Sequence, residues 1–314
     1  MEPRKTCHQY EIRIQNRKED LELAGFTEED IVNLKASDFV YSFEQKEDCY
    51  KEVSEFITRH EWLGSMCQNP THIFTARYNN ILAGTVVMGV PYAFSYYLGR
   101  GEPFILSCRD IDIGDPDTDF LVNITVNGKD KEKGTKRIER LIGRGACISW
   151  SPKNLATKLN MYAIKWMVKN TRFRIFIGYT DSEAGEVGTI YQASNFYFLG
   201  SAGVSKQYFN NGKWVSDKSL RSRSAVKRVS KLLDIEWNPE WNNGDKVLWK
   251  LIPNDIAVKF KTELKSIMNS LPSRKAPAKS KYIYIQGKSP TETRVLRNLF
   301  KANNKIQPYP KRKI

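Results

Sequence analysis

Residues 138–150 read IERLIGRGACISW, residues 151–168 read SPKNLATKLNMYAIKWMV, and residues 173–179 read FRIFIGY. The first segment ends in β-favouring residues, and Ser151 and Pro152 suit the N-cap and the first position of a helix. Apolar residues at helical spacing follow, and the third segment is the short apolar run typical of a central strand. This order of strand, helix and strand predicts a right-handed parallel crossover.

Elements on both sides of this unit extend the pattern. Residues 47–62 place apolar side chains on one face of a predicted helix. Residues 72–78 alternate, Asn79-Asn80 forms a turn, and residues 81–90 are a β-rich apolar run, so the pair predicts a β-hairpin. A second helix is expected at 188–196, before another strand. The sequence therefore predicts an α/β fold with a mixed sheet flanked by helices.

The positive charge is concentrated in the last third of the chain. The 314 residues include 50 Lys or Arg and 35 Asp or Glu, and residues 201–314 hold 25 of the basic and only 8 of the acidic ones. Basic helices are predicted at 218–233 and 291–301, joined through a linker at 273–281. We expect a mostly helical module that faces a polyanion, with a merely soluble basic tail as the alternative.

Several classes of protein are disfavoured. No run of about 18 uncharged apolar residues is present, and the N-terminus leads into no apolar signal region. The five cysteines are odd in number and form no C-x-x-C pair, and the three histidines form no H-E-x-x-H motif. We therefore expect a cytoplasmic protein without a metal site or a disulfide framework.

Two residues after the predicted central strand could perform acid–base chemistry. Asp181 lies just past the carboxyl end of this strand, where α/β sheets place ligands, and Tyr191 lies on the next helix. A carboxylate can accept a proton and a phenol can return one. The alternatives are a turn or helix cap for Asp181 and a packed aromatic for Tyr191. His60 is a candidate base or a surface or capping residue, and Tyr78 ends a strand that can face the same crevice.

The turn between the first strand and its helix is a candidate anion site. Backbone N–H groups at a helix N-terminus attract a pyrophosphate, and Lys153 or Lys158 would add charge over 154–157. The turn lacks the glycines that let a phosphate approach, so a structural cap is the alternative.

Lys and Arg alternate with aromatic residues through the last third of the chain. Basic side chains hold phosphates, and aromatic rings stack on bases or wedge between them. A subdomain with its own aromatic core is a compatible alternative. The candidate nucleic-acid-binding residues are Arg221, Arg223, Lys227, Arg228, Lys231, Arg294, Arg297, Lys311 and Arg312.

Four stretches carry a resemblance to a known family. They read HEWLGSM from His60, FTARYNNILAGTVVMGVPYAFS from Phe74, IGRGACISWSPKNLATKL from Ile142 and RIFIGYTDSEAGEVGTIYQASNFYFLG from Arg174. Together they resemble the Mom-like bacteriophage DNA-modification proteins over about residues 47–203. An aspartate ten positions before the tyrosine of GTIYQASNF is the most specific feature.

The resemblance implies a GNAT acyltransferase fold, in which two parallel strands splay apart and acyl-CoA pyrophosphate lies at the N-terminus of the helix between them. It implies addition of a carbamoylmethyl-type group to the N6 amine of adenine in double-stranded phage DNA, which protects that DNA from host restriction. Family site residues match Asp181, Tyr191, His60, Tyr78 and either Arg140 or Arg144. The acetyl-CoA or other acyl-CoA site would comprise Lys153, Asn154, Leu155, Ala156 and Thr157.

The expected organisation is a lead-in at 1–46 with a helix starting at Thr27, a GNAT-like catalytic domain at 47–203 with a flexible insertion at 99–137, and a basic DNA-binding extension at 204–314. Two other functions compete with adenine modification. One is acyl transfer to a protein or small amine, and the other is non-catalytic DNA binding on a GNAT scaffold.

Overall fold

The chain folds into two compact units. The computed structural model describes residues 7–67, 69–91, 97–99, 123–126, 129–132, 138–201, 206–244, 246–276 and 279–311. The main unit comprises residues 1–202 and 279–314, and the inserted unit comprises residues 203–278. The chain thus leaves the main unit once and returns to complete it.

The main unit consists of a large sheet flanked by helices. The helices are α1 (His8–Ala24), α2 (Glu28–Ile31), α3 (Lys46–His60), α4 (Leu155–Asn170), α5 (Thr189–Ala193) and, after the inserted unit, α9 (Pro290–Asn303). The sheet strands are β1 (Val40–Glu44), β2 (Pro70–Tyr78), β3 (Ile81–Gly89), β6 (Glu139–Cys147), β7 (Ile175–Asp181), β8 (Tyr197–Ser201) and β14 (Lys279–Ile285). A separate hairpin is formed by β4 (Asn123–Val126) and β5 (Lys129–Glu132).

The seven strands have the order β1-β2-β3-β6-β7-β14-β8. All the registered neighbours are antiparallel except β6 and β7, which are parallel and connected through α4. This mixed sheet confirms the predicted α/β class. The last strand, β14, lies between β7 and β8 and pairs with β7 from Lys279–Asp181 to Ile285–Ile175.

Local sequence explains several element ends. Asn79 and Asn80 have φ of 49° and 64°, the left-handed conformation that a tight hairpin needs and that asparagine tolerates. The side chain of Thr27 accepts the backbone N–H of Asp30 and forms the predicted helix start, a capping box. Ser289 caps α9 through the N–H of Glu292, with Pro290 at its first turn.

Helix α9 covers one face of the sheet around β7 and β14. Leu296 and Phe300 pack with Ile175, Ile177 and Ile283 in a buried apolar cluster. Next to this cluster, the Arg174 Nε donates to Glu292 Oε1 at 2.7 Å, and the two side chains are 0% and 6% exposed. Arg174 Nη1 also donates to three backbone carbonyls. The pair therefore fixes α9 to the start of β7.

The inserted unit has its own cores and is not mostly helical. Its elements are β9 (Lys206–Asn210), β10 (Lys213–Ser216), α6 (Asp217–Leu220), α7 (Arg223–Leu232), β11 (Asn242–Asn243), β12 (Lys246–Val247), α8 (Asn254–Ser270) and β13 (Ser273–Lys275). Trp241 is buried with Val229 and Phe260, and Trp237 and Trp249 pack against this cluster. These three tryptophans thus belong to an aromatic core of the unit, which was the alternative to contact with nucleic acid.

The structure differs from the sequence predictions at several boundaries. Residues 204–314 do not form one extension, because β14 and α9 belong to the main unit. The expected linker at 273–281 contains β13 and the start of β14, and the helix predicted at 218–233 is interrupted after Leu220. The lead-in contains α1, a helix that polar contacts hold and that has little apolar periodicity for sequence reasoning to detect.

Within the predicted insertion at 99–137, the structure describes Gly99 and the β4–β5 hairpin. The rest of that stretch lies outside the described residues. The sequence YAFSYYL at 92–98 favours a short helix, and residues 92–96 of it also lie outside the described residues. Among the helices that the structure describes, none has the length and apolar character required to cross a membrane.

Replacing Glu292 with alanine is expected to lower the free energy of unfolding by about 3–5 kcal/mol, because Arg174 is left buried without its counter-charge. Urea denaturation of the full chain measures this loss. The matched control is Glu28→Ala, which breaks the exposed pair with Arg17 and should hardly change the midpoint. Equal effects of the two substitutions would contradict this account.

Candidate functional site

The two parallel strands separate after a short contact. Their registered pairs run only from Glu139–Ile175 to Leu141–Ile177, although each strand continues to pair with its other neighbour. A bulge at Gly143 shifts the register between β6 and β3, and bulges bend the strand that carries them. The region between β6 beyond Leu141 and β7 beyond Ile177 is called the crevice below.

Asp181 ends β7 at the open end of this crevice. Its Oδ1 accepts the backbone N–H of Glu183 at 2.9 Å, and its Oδ2 lies 3.8 Å from Lys279 Nζ on β14. The side chain is 18% exposed. The carboxylate thus caps the following turn, which is the structural role that the sequence offered as an alternative. It also keeps a solvent-accessible side, with the Lys279 ammonium nearby.

Glu186 joins this turn to the end of α3. Its Oε1 accepts Trp62 Nε1 at 3.1 Å, and its Oε2 accepts the backbone N–H of Asp181 at 3.0 Å. Burial raises the pKa of Glu186 above its usual value, and the charge of Asp181 raises it further. Burial also raises the pKa of Glu61, and the charge of Glu186 adds to that shift.

Tyr191 lies on α5 with its ring against the backbone of Gly178 on β7. The ring stacks on Tyr282 at a centroid distance of 5.3 Å and contacts Phe196 at 5.0 Å. Burial raises the pKa of the Tyr191 phenol, and the charge of Glu186 adds to the shift. The hydroxyl therefore holds its proton at neutral pH and can act only as a donor or as a neutral acceptor.

His60 is buried at the end of α3 and does not face solvent. Its Nδ1 lies 3.7 Å from Asp20 Oδ2, and its ring contacts Phe56. Burial lowers the pKa of His60 against the opposing charge of Asp20, so the imidazole is held neutral. The Gln9 side chain connects it to the site, because it donates to the His60 carbonyl and accepts the N–H of Trp62.

Tyr78 lies in an aromatic group, and within the described part of the chain no hydrogen bond or ring contact joins it to Asp181. Its ring contacts Phe26, Phe39 and Trp150, with centroids 5.3–6.3 Å away. Trp150 belongs to the turn between β6 and α4. The structure therefore places Tyr78 with the predicted anion-binding turn.

The two candidate arginines have different surroundings. The Arg140 guanidinium lies 3.4 Å from the centroid of the Phe173 ring, and burial lowers its pKa to about 10. Arg144 lies further along β6, where its Nε donates to the Ser65 carbonyl at 2.7 Å and its charge lowers the proton affinity of Glu61. Arg144 thus belongs with the carboxyl group at the crevice.

Helix α4, which follows the predicted anion-binding turn, begins later in the sequence than expected. The helix starts at Leu155 with Asn154 as a cap that makes no side-chain hydrogen bond. Ser151 does not cap it, because its carbonyl and hydroxyl accept Arg13 Nη2 from α1. Arg17 donates to the carbonyl of Ser149. The cofactor candidates Lys153 and Asn154 are exposed, Ala156 and Thr157 are half-buried, and Leu155 is buried.

Some buried polar side-chain atoms of the described residues have no hydrogen-bond partner, including atoms of residues in this turn and on α4. Ser149 Oγ, Trp150 Nε1 and both amide atoms of Asn160 have no hydrogen-bond partner among the described residues, and neither does Thr180 Oγ1 on β7. Buried polar groups are normally paired with protein, water or ligand. These four side chains therefore mark positions where a bound molecule could be held. In the described part of the chain, no three His, Cys, Asp or Glu side chains are grouped to hold a metal ion.

The candidate nucleic-acid residues are divided between the two units. Lys227, Arg228 and Lys231 are exposed on α7, and Arg221 forms an exposed ion pair with Asp217. Arg223 begins α7 and is half-buried. In the main unit, Arg294 and Lys311 are exposed, Arg297 Nε donates to the Ile285 carbonyl, and Arg312 lies outside the described residues.

Residues 132–243 match the model of the Mom protein family. The match supports a Mom-like protein and suggests phage DNA modification in general, and thus an enzyme. No curated protein matches the chain.

The match covers much of the site. Its bounds contain β6, the turn before α4, Asp181 and Tyr191, and they extend into the inserted unit as far as α7 and β11. His60 and Tyr78 precede it.

Sequence reasoning missed Glu186, Lys279 and the residues of α1. Glu186 lies five positions after Asp181 in the predicted turn between a strand and a helix. A carboxyl pair across that turn is therefore detectable in the sequence. Lys279 and Arg13 are distant in the chain and carry no local signal.

Gly178→Ala is expected to displace the Tyr191 ring, because an added Cβ would lie 2.8 Å from its Oη and closer still to the ring. Overpacking of this kind costs about 1–3 kcal/mol of stability. Thermal unfolding and the near-ultraviolet signal of tyrosine measure the change. The control is Gly145→Ala on β6, whose Cβ would meet its nearest atom at 3.5 Å and should be tolerated. An unperturbed Gly178→Ala protein would show that the ring is free to move.

Proposed function

We propose that this Mom-like protein transfers a carbamoylmethyl or acyl-derived group to the N6 amine of adenine in DNA, which would protect phage DNA from restriction. The observation that carries the proposal is the separation of β6 and β7, with Asp181 and Glu186 at the end of β7 and the Tyr191 ring against Gly178 of the same strand. Two parallel strands that separate on either side of one helix are the arrangement that the GNAT resemblance implies. The family match favours DNA as the substrate.

The chemistry requires a nucleophilic amine and a proton for the departing group. The new bond joins N6 to an electrophilic carbon of the donor, the bond from that carbon to the departing group breaks, and N6 loses one proton. Asp181 is the candidate acceptor, because its carboxylate keeps an accessible side. Tyr191 keeps its proton and is the candidate donor to the departing group. Glu186 acts as a positioning residue through its bond to the Asp181 backbone.

An adenine paired inside a duplex cannot reach such a crevice. Enzymes that modify bases extrude the target nucleotide, which costs a few kcal/mol of stacking and pairing. Since the exocyclic amine is a weak nucleophile, alignment with the donor should contribute more than the strength of the base.

The turn before α4 fits an anionic donor such as an acyl-CoA. The helix N-terminus lacks a side-chain cap, Lys153 is exposed beside it, and Arg13 and Arg17 reach the same turn from α1. The unpartnered Ser149 Oγ and Trp150 Nε1 add polar atoms there. When bound, the donor would supply the electrophilic carbon, and these residues would hold its phosphates.

Asp181→Ala is expected to lower the amount of modified deoxyadenosine by about 10²–10⁴-fold, the usual contribution of a positioned acid–base group. The protein is expressed in a bacterium, and total DNA is digested to nucleosides for mass spectrometry. The mass of the new nucleoside identifies the added group.

Asp38→Ala is the matched control, because Asp38 also accepts a backbone N–H, that of Lys35, and caps the turn before β1. It should leave modification unchanged. Unmodified DNA from a soluble parent protein would reject the proposal, and acyl transfer to a peptide or small amine would replace it.

Arg144→Gln and Arg140→Gln are expected to act on different properties. Loss of Arg144 removes the cation near Glu61 and should lower modification by about 10–100-fold. Loss of Arg140 removes its contact with Phe173 and should cost about 1–2 kcal/mol of stability. Nucleoside analysis and thermal unfolding, applied to both variants, separate the effects. The reverse pattern would assign the site arginine to Arg140.

A further inference from the structure

One face of the small sheet in the inserted unit carries two exposed aromatic rings. The sheet has the order β10-β9-β13, and Trp214 of β10 lies directly across from Phe209 of β9. The two rings are 5.3 Å apart and are 37% and 39% exposed. Because cross-strand partners share a face, both rings lie on the same side of the sheet. This side is called the aromatic face below.

Two polar side chains continue the aromatic face. The Arg274 guanidinium of β13 lies 4.4 Å from the centroid of the Trp214 ring, and its Nε donates to Gln207 Oε1 at 3.1 Å. Arg274 is paired with Gln207 in the strand register, so both belong to the same side as the rings. The face thus combines aromatic surfaces with a cation and an amide.

The opposite side of the sheet is already used for packing. Tyr208 is buried there with Leu220 and Met268, and Val215 packs against them. The rings of the aromatic face are therefore not required to build this core. A two-residue turn at Asn211 and Gly212, with φ of 50° and 77°, holds the hairpin that presents them.

The surrounding charge favours a polyanionic partner. The inserted unit contains fifteen Lys or Arg and seven Asp or Glu residues, and Lys213 is exposed beside Trp214. Exposed cations also lie on α7. Aromatic rings on a basic sheet are a common platform for nucleic-acid strands, since bases stack on the rings and cations follow the backbone.

We propose that the aromatic face binds unpaired DNA, with bases stacked on Trp214 and Phe209. A duplex hides the faces of its bases, so only an unpaired strand can use flat rings in this way. The choice of DNA over RNA rests on the proposed function, whereas the stacking does not. A protein that extrudes adenine from a duplex creates such unpaired bases.

The test measures binding of the full chain to fluorescent oligonucleotides of about 12 nucleotides, a length within the usual site size. One probe is single-stranded, and the other is the same strand annealed to its full complement. The variant Phe209→Leu/Trp214→Leu keeps apolar side chains on the sheet but removes the stacking surfaces. Its dissociation constant for the single strand should rise by about 10–100-fold, with little change for the duplex.

Two further variants control for folding and for exposed rings in general. Trp214→Phe keeps a ring and should bind the single strand within a few-fold of the parent. Tyr50→Leu removes a ring of 39% exposure that also has a cation nearby, Lys46 Nζ at 5.6 Å, and should change neither affinity. Equal single-strand binding by the parent and the double leucine variant would overturn the proposal. An equal loss for both probes, or a loss with Tyr50→Leu, would also overturn it.

Nucleoside analysis of the same proteins keeps the two proposals separate. Modified DNA together with ring-independent binding would leave the proposed function standing and reject the aromatic face. Ring-dependent single-strand binding without modified DNA would do the reverse.

Discussion

The short contact between β6 and β7 is the constraint on which the site depends. Three residue pairs join the two parallel strands, and beyond Leu141 and Ile177 each strand keeps only its outer neighbour. A sheet that stayed paired to its end would leave no room for a reactive group at Asp181. The bulge at Gly143 bends one strand, and the Tyr191 ring lies against Gly178 of the other. A backbone irregularity and a glycine thus open the sheet and position the phenol.

The division of the chain changes how its charge is interpreted. The basic last third contains both the inserted unit and the strand that completes the main sheet. Since β14 pairs with β7 and brings Lys279 to Asp181, part of the positive charge belongs to the candidate site itself. The cations of α7 belong to another compact unit. A single count over residues 201–314 therefore combines charges of two compact units that the fold separates.

Residues with local signals were predicted well from the sequence, and residues with distant partners were not. The hairpin at Asn79-Asn80, the cap at Thr27 and the strand–helix–strand order depend on neighbouring residues and were confirmed. The cap at Ser151 was wrong because Arg13, 138 positions away, takes its oxygens. Trp241 shows the same limit, since its polar neighbours in the chain hide a buried position against Phe260.

Helix α1 connects the parts of the crevice that the sequence leaves far apart. The N–H of His8 donates to the carbonyl of Ala184 in the turn after β7, while Arg13 and Arg17 reach the turn after β6. Asp20 accepts the N–H of Ser149 and faces His60. Because one helix contacts the turns at the ends of both separated strands, its backbone and side-chain hydrogen bonds together hold the distance between them. A helix with so few apolar contacts is stabilised by these bonds, so its order and the geometry of the crevice depend on each other.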